Sequence, residues 1–325
     1  MIISILLIIV GMVFLMKGAD LLVDGASSIA HKFHIPQIII GLTIVSIGTS
    51  MPELVVSVNS ALQGHSDISI GNVVGSNMAN LMLILGLCAA IKALPMKKQT
   101  RVLESPMALA ATVMLFIMCN TGREGLERVS RPEGFILLAF CILFIIYNIF
   151  MAKRGEAFDK EDNMEEEASI EVMPVWKSIL YILIGIIGLK LGGDFVVDNA
   201  VNIATILNIS EAIISLTIIA IGTSLPELVT SVTATIKGEA DMAVGNVLGS
   251  QIFNILLIIG TSAVLSPINY DTSYNSGMLV LVIASTFFVA CPYIGHKMHF
   301  GRIQGAIYVS AYFAYMIRLV LLNVM

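Results

Sequence analysis

Residues Gly41 to Gly86 occur twice in this chain. The first copy reads GLTIVSIGTSMPELVVSVNSALQGHSDISIGNVVGSNMANLMLILG. The second, Ser215 to Gly260, reads SLTIIAIGTSLPELVTSVTATIKGEADMAVGNVLGSQIFNILLIIG. The copies align without a gap at an offset of 174 residues (Gly41 to Ser215), and about half of the positions are identical. Each copy sets one carboxylate, Glu53 or Glu227, deep in an apolar run. A carboxylate at bilayer depth costs several kcal/mol, so two at matched positions call for a use or a compensating partner.

The medium around those carboxylates follows from composition. Of 325 residues, 57% are hydrophobic and 13% charged, with a mean hydropathy of +0.91. Apolar runs of about 18 residues or more recur along the chain, which is the signature of membrane spans. The runs are continuous and not alternating, so helices are expected, not a barrel. The net charge of −5 comes without a basic patch, which excludes a nucleic-acid partner. Cys88, Cys119, Cys141 and Cys291 stand singly in apolar runs and read as free buried thiols. The N-terminal run lacks a positive leader and a cleavage site, and reads as a first membrane helix that is kept.

The fold class expected is therefore all-α integral membrane. Ten transmembrane helices are placed at 2–31, 37–62, 67–91, 103–120, 132–153, 175–205, 211–236, 241–265, 275–295 and 302–324. Residues 1–151 form a first five-helix repeat with its core at 41–87. Residues 152–174 form an acidic linker, and residues 175–325 a second five-helix repeat with its core at 215–261. The offset also pairs Gly11 with Gly185, Gly18 with Gly192, Asp20 with Asp194 and Asp24 with Asp198. A half with an odd number of spans ends on the side opposite its start. The second half then sits upside down, which is the inverted repeat of secondary transporters with a site near the midplane. Loops after odd helices, with the linker, hold twelve Lys and Arg residues against three in the loops after even helices. That bias places the linker in the cytoplasm and both termini on the far side; the expected location is a cell (inner) membrane, crossed as a multi-pass chain.

Polar residues in the repeats fall on stripes. Ser46, Thr49, Ser50, Glu53 and Ser57 recur at spacings of three and four, which puts them on one helix face. Asn72, Ser76 and Asn80 make a second stripe. The second copy repeats both, with Thr223, Ser224, Glu227 and Ser231 after Ala220, then Asn246, Ser250 and Asn254. Pro52 and Pro226 lack an N–H and clash with the carbonyls of Gly48 and Gly222, so broken helices are expected at the midplane. Freed carbonyls, hydroxyls and a carboxylate form an all-oxygen donor set, which suits hard cations such as Ca²⁺ and Na⁺. No His or Cys joins it, which argues against zinc or copper. Two ionised carboxylates are neutralised by one Ca²⁺, by two Na⁺ or by two protons. An empty doubly charged site is costly to occlude, so exchange is expected in preference to uniport.

GTSMPE with GNVVGSNMAN, and GTSLPE with GNVLGSQIFN, closely resemble the two alpha repeats of the sodium/calcium exchangers, within the cation/Ca²⁺ antiporter superfamily. The resemblance spans both repeats and implies a prokaryotic antiporter that exchanges Ca²⁺ for Na⁺ by alternating access. Carried over by motif position, it implies that Glu53 and Glu227 are the central ligands. Thr49, Ser50, Thr223 and Ser224 are implied as ligands of the GTS turns, Ser46 and Ala220 as carbonyl donors, and Ser76, Asn80 and Ser250 as ligands of the GS stretches. Asn254 stands where several members have Asp, which leaves H⁺/Ca²⁺ or K⁺-dependent exchange open beside Na⁺ coupling. No resident cofactor is expected, since the bound ions are the cargo. The partners are Ca²⁺, Na⁺ and the lipid bilayer, with a monomer as the expected unit.

Other readings compete. A cation channel would need a continuous path, and a membrane hydrolase a nucleophile–base pair or an HExxH-like ligand set, and no His is placed for that. Asp20, Asp24, Asp194 and Asp198 lie toward helix ends, where a solvated or capping role competes with an ion vestibule. Gly71, Gly75, Gly245 and Gly249 read as close-packing positions.

Overall fold

The computed structural model describes residues 1–64, 66–121, 128–153, 172–207, 220–294 and 299–324. Most of the acidic linker, residues 215–219 of the second repeat, and Arg123, Lys160 and Lys297 lie outside the described residues. Four short strands aside, the described chain is built from helices. These are α1 (Ile2–Phe33), α2 (Gln37–Thr49), α3 (Met51–Leu62), α4 (Ser69–Ile91), α5 (Thr100–Asn120), α6 (Arg131–Lys153) and α7 (Val175–Ile206). After a short turn at Ala220–Gly222 come α8 (Leu225–Ile236), α9 (Ala240–Leu265), α10 (Thr272–Tyr293) and α11 (Arg302–Val324).

Among the described residues seven helices are long and apolar enough to cross a membrane, or eight when the bent pair α2–α3 counts as one span. The expected span at 211–236 begins outside the described residues, and α11 is a 23-residue helix that is not one of the seven. Peripheral helices turn apolar side chains outward: Ile2, Ile3, Leu6 and Ile9 on α1, and Phe135, Ile142, Leu143 and Ile146 on α6. A water-soluble surface does not carry such bands, whereas lipid favours them.

Two helices form the centre. α4 and α9 are buried over 78% and 83% of their apolar windows, against 22% to 44% for the other five candidate spans. Both are rich in Gly, Ala, Ser and Asn, which let neighbouring backbones approach closely. Gly41 and Gly245 face each other, with Gly245 against Ile38 O and Gly41 against Met242 O. Gly249 lies against Ser46, so the close-packing reading of Gly245 and Gly249 fits their surroundings. Gly71 meets the Tyr274 hydroxyl instead.

α1 and α7 cross antiparallel along a line of small residues. Gly11 opposes Gly192, Gly18 opposes Gly185, and Gly25 opposes Ser178. The positions that the offset makes equivalent, Gly11 with Gly185 and Gly18 with Gly192, thus meet crosswise. Two short antiparallel ribbons also join residues far apart in sequence. β1 (Leu94–Pro95) pairs with β4 (His299–Phe300), and β2 (Arg128–Val129) pairs with β3 (Ile268–Asn269).

Candidate functional site

The first GTS turn ends α2. Ser50 caps it at φ −84°, ψ 8°, and α3 starts at once with Pro52 in its first turn. A proline there needs no N–H partner, so the break costs little backbone bonding. The axes of α2 and α3 differ by 49°. Ser224 has nearly the same backbone, φ −88°, ψ 6°, ahead of Pro226 in α8. The sequence expectation of one continuous polar face is corrected here. Ser46 and Thr49 precede the break and Glu53 and Ser57 follow it, so the stripe is folded around a corner.

That corner brings the two halves together. Ser50 Oγ donates to Glu227 Oε1 at 2.8 Å and lies 3.0 Å from Ser250 Oγ. Ser224 Oγ donates to Glu53 Oε1 at 3.4 Å, and Ser76 Oγ lies 3.5 Å from the same oxygen. Each carboxylate therefore takes a hydroxyl from the other copy's turn. Both are wholly buried. Had either pointed toward lipid, none of these contacts could form.

Asn72 and Asn246 act as fasteners. Asn72 Nδ2 donates to Ser57 Oγ at 3.0 Å and reaches Glu53 O at 3.4 Å. Asn246 Nδ2 donates to Ser231 Oγ at 2.9 Å, and its Oδ1 accepts from Thr49 Oγ1 at 3.2 Å. The carbonyl of Ser46 accepts the Ser50 N–H at 3.0 Å and the Thr49 hydroxyl at 3.4 Å. The second turn is wound differently, with Ser224 N–H bonded to Ile221 O at 3.1 Å, one residue short of the carbonyl of Ala220.

Several buried oxygens on these residues have no hydrogen-bond partner. They are Glu53 Oε2, Glu227 Oε2, Thr223 Oγ1, Asn80 Oδ1 and Asn254 Oδ1. A buried polar atom left unpaired costs about 1–3 kcal/mol, so five in one region ask for a ligand. Among the described residues no three His, Cys, Asp or Glu side chains converge. The donors here are two carboxylates with hydroxyl and amide oxygens, a set that suits a hard cation and not a soft one.

Asn80 and Asn254 lie in the first two positions of similar wide helical turns, the π-helical segments Ala79–Ile84 and Asn254–Ile259. Such turns leave main-chain carbonyls displaced from regular bonding and recur at functional sites. Two residues absent from the sequence-derived set also sit at the centre. Asn77 Oδ1 accepts from Asn254 Nδ2 at 3.0 Å, and Asn77 Nδ2 donates to Gln251 O at 3.3 Å. Gln251, the equivalent of Asn77, donates to Thr112 Oγ1 at 3.0 Å and Ser285 Oγ at 3.1 Å. Their signal was available: both are polar, matched by the offset, and adjacent to Ser76 and Ser250. A third residue, Glu104, is wholly buried at the end of the wide turn Thr100–Glu104 and has no counterpart in the other half.

Of the outer acids, Asp20 and Asp24 are both paired with Lys237, at 3.1 and 2.7 Å, and Asp194 with Lys190 at 2.7 Å. Asp194 and Asp198 line an open cavity of about 450 Å³ whose wall includes Thr223 and both prolines of the turns.

The family model for sodium/calcium exchanger protein matches residues 3–150 and 177–321. The inner membrane protein YrbG of Escherichia coli (strain K12) is 36% identical over 294 residues, covering 89% of this chain and 88% of that protein. The sodium/calcium exchanger MaX1 of Methanosarcina acetivorans is 32% identical over 302 residues, covering 82% and 84%. A solved structure of the sodium-calcium exchanger NCX_Mj, soaked with 10 mM Na⁺ and zero Ca²⁺, matches with a TM-score of 0.81 at 32% identity, over 96% of this chain and 97% of that one. With its band of outward apolar helices this is a multi-pass membrane protein, and MaX1 and NCX_Mj among its relatives are named as exchangers, not enzymes. Matched along both halves, the chain belongs to the sodium/calcium exchanger protein family.

Proposed function

We propose that the chain is a secondary active antiporter that exchanges Ca²⁺ for Na⁺ by alternating access at a site built around Glu53 and Glu227. The observation that carries this reading is the crosswise pairing of Ser50 with Glu227 and Ser224 with Glu53, beside five buried oxygens without partners. Thr49, Ser76, Ser250, Asn80 and Asn254 complete the proposed ligand set, with the carbonyls of Ser46 and Ala220. Two ionised carboxylates balance one Ca²⁺ or two Na⁺. An unloaded site leaves two buried charges uncompensated, which resists occlusion and couples movement to loading.

The same crosswise contacts support two five-helix halves, 1–151 and 175–325, related by inversion across an axis in the membrane plane. They recur in α1 with α7 and in the two ribbons. Ten spans, the linker 152–174 on the cytoplasmic side and the termini opposite complete the proposed topology, which rests on the Lys and Arg count. Asn at both Asn80 and Asn254 holds the site to two carboxylates, which supports a low charge requirement and leaves H⁺ or K⁺ coupling as the competing reading.

The test is isotopic Ca²⁺ uptake into Na⁺-loaded proteoliposomes at fixed pH, comparing the intact chain with Glu53→Gln and Glu227→Gln. Uptake that follows the Na⁺ gradient and is lost in both variants is expected. Uptake that ignores Na⁺ and follows a pH gradient would replace Na⁺ by H⁺, and full uptake in either variant would remove the carboxylate pair from the mechanism.

A further inference from the structure

The offset maps α1 onto α7 and α3 onto α8, so the α1–α8 contact and the facing sides of α7 and α3 occupy equivalent places in the two halves. They are not packed alike. On the α1–α8 side, Val23, Ser27 and Thr230 are 1%, 3% and 1% exposed. Their counterparts Val197, Val201 and Val56 are half-buried and line the 450 Å³ cavity. Thr223, with its buried unpartnered hydroxyl, is in the cavity wall, so the cavity reaches the ion site. One side of the molecule is shut and the equivalent side is open.

The outer acids differ in the same sense. On the shut side Lys237, the residue that caps the C-terminus of α8, donates to Asp24 Oδ1 at 2.7 Å, pairs with Asp20 Oδ1 at 3.1 Å and reaches the Asp20 carbonyl at 3.3 Å. These three contacts tie α8 to α1. On the open side the counterpart of Lys237 is Gln63, the C-cap of α3, which is exposed and uncharged. Asp194 is held there by Lys190, four residues away on its own helix. That pair joins nothing across the cavity, and the α3 wall facing it is Pro52, Val55 and Val56.

We propose that Lys237 is a positioning residue for the exchange cycle, a latch between α8 and α1 that favours the state shut on its own side and open at the cavity. When the carrier turns over, α1 and α8 part and α3 closes on α7. Gln63 cannot form the matching ion pairs, so the two access states are unequal by the strength of the latch. The inference rests on the alternating-access reading but not on the identity of the cargo.

The test reads the position of the carrier directly. Val55→Cys puts a thiol in the cavity, and Val229→Cys puts one at the equivalent point on the shut side. The four native cysteines are buried. Rates of modification by a hydrophilic thiol reagent are measured in detergent, with Lys237 intact, as Lys237→Gln and as Lys237→Arg. Lys237→Gln is expected to slow the Val55→Cys reaction and speed the Val229→Cys reaction, changing their ratio about fivefold, the scale of an exposed ion-pair network. Lys237→Arg keeps the charge and holds the ratio within about twofold of the parent. An unchanged ratio in Lys237→Gln, or an equal change in Lys237→Arg, overturns the latch. Asp24→Asn removes the shortest contact from the other partner and must shift the ratio in the same direction, which covers a Lys237 variant that does not fold. Loss of Ca²⁺ uptake in every protein would sink the transport reading while leaving these ratios readable.

Discussion

Replacing Gly18 by Ala tests the packing of α1 on α7, and its size can be worked from distances. The added methyl would stand 2.7 Å from Leu189 N, 2.9 Å from Gly185 O and 3.1 Å from the Gly188 carbonyl carbon. All three are backbone atoms and none can rotate aside. Ordinary contact begins at 3.4 Å, so the helices must part by roughly 0.7 Å. A gap of that size forfeits a quarter to a half of each neighbouring contact, and the Gly11–Gly192 and Gly25–Ser178 crossings lie on the same line. Overpacking costs about 1–3 kcal/mol, and the helix preference of Ala returns up to about 1 kcal/mol. The expected net loss is about 1–2 kcal/mol in a denaturant titration in detergent. The half-saturating Ca²⁺ concentration for uptake should hold within about twofold, because none of these atoms belongs to the residues around Glu53 and Glu227. Gly185→Ala meets Gly18 O at 2.8 Å and Leu22 N at 2.7 Å, across the same gap. The double variant should therefore lose less than the two single losses added together. Gly18→Ala as stable as the parent, or a strictly additive double variant, would refute the crossing geometry.

Three further outcomes follow from the site and its rim. Ser50→Ala removes a hydroxyl 2.8 Å from Glu227, whereas Ser224→Ala removes one 3.4 Å from Glu53. A well-made hydrogen bond to a charged group is worth about 1.5–3 kcal/mol, so initial-rate uptake should show Ca²⁺ affinity falling roughly 10- to 100-fold in the first and less than about fivefold in the second. Equal losses would mean that the hydroxyls do not act through these carboxylates. Asn246→Ala strands the Ser231 hydroxyl in a wholly buried place, leaves Thr49 only the Ser46 carbonyl, and should cost about 2 kcal/mol in an unfolding titration, more than Asn72→Ala, whose site is half-buried. Glu239 lies just outside α9, where burial first, and then the charges of Asp241 and Asp24, push its carboxyl above the usual range. Its folded form holds the proton more tightly than the unfolded chain, so stability is lost as pH rises from the ordinary glutamate range through the raised value. Glu239→Gln should match the parent in acid and exceed it at neutral pH in thermal melts, and a constant difference across pH would contradict the assignment.

The duplication made the carboxylates, the hydroxyl turns and the fasteners legible before any coordinates, because each polar residue could be checked against its copy. Spacing did less well, since it assumes a regular helix of about 100° per residue. The break at Ser50 folds the first stripe around a corner, and wide turns at Ala79–Ile84 and Asn254–Ile259 change the face that follows. Asn77 and Gln251 lie one residue off the stripe, next to Ser76 and Ser250, so a rule that follows a single face passes over them although they bond at the centre. Glu104 has no copy, so the comparison of halves passed over it.

What duplication hides by its nature is inequality. An alignment of the copies marks Gln63 against Lys237 as one difference among many on the ends of matching helices. Nothing in the letters says that one of these ends meets two aspartates and the other faces open space. The weight of that difference appears only when Lys237 is seen bound to Asp20 and Asp24, while the equivalent place on the other side leaves Val55 48% exposed beside a cavity. If the two halves share one fold, as proposed, they give a carrier two states of nearly equal design. On the alternating-access reading proposed above, a single lysine at a helix end, worth about 1 kcal/mol or less as an exposed pair, would be enough to make one of them the resting state, because the difference it has to tip is small.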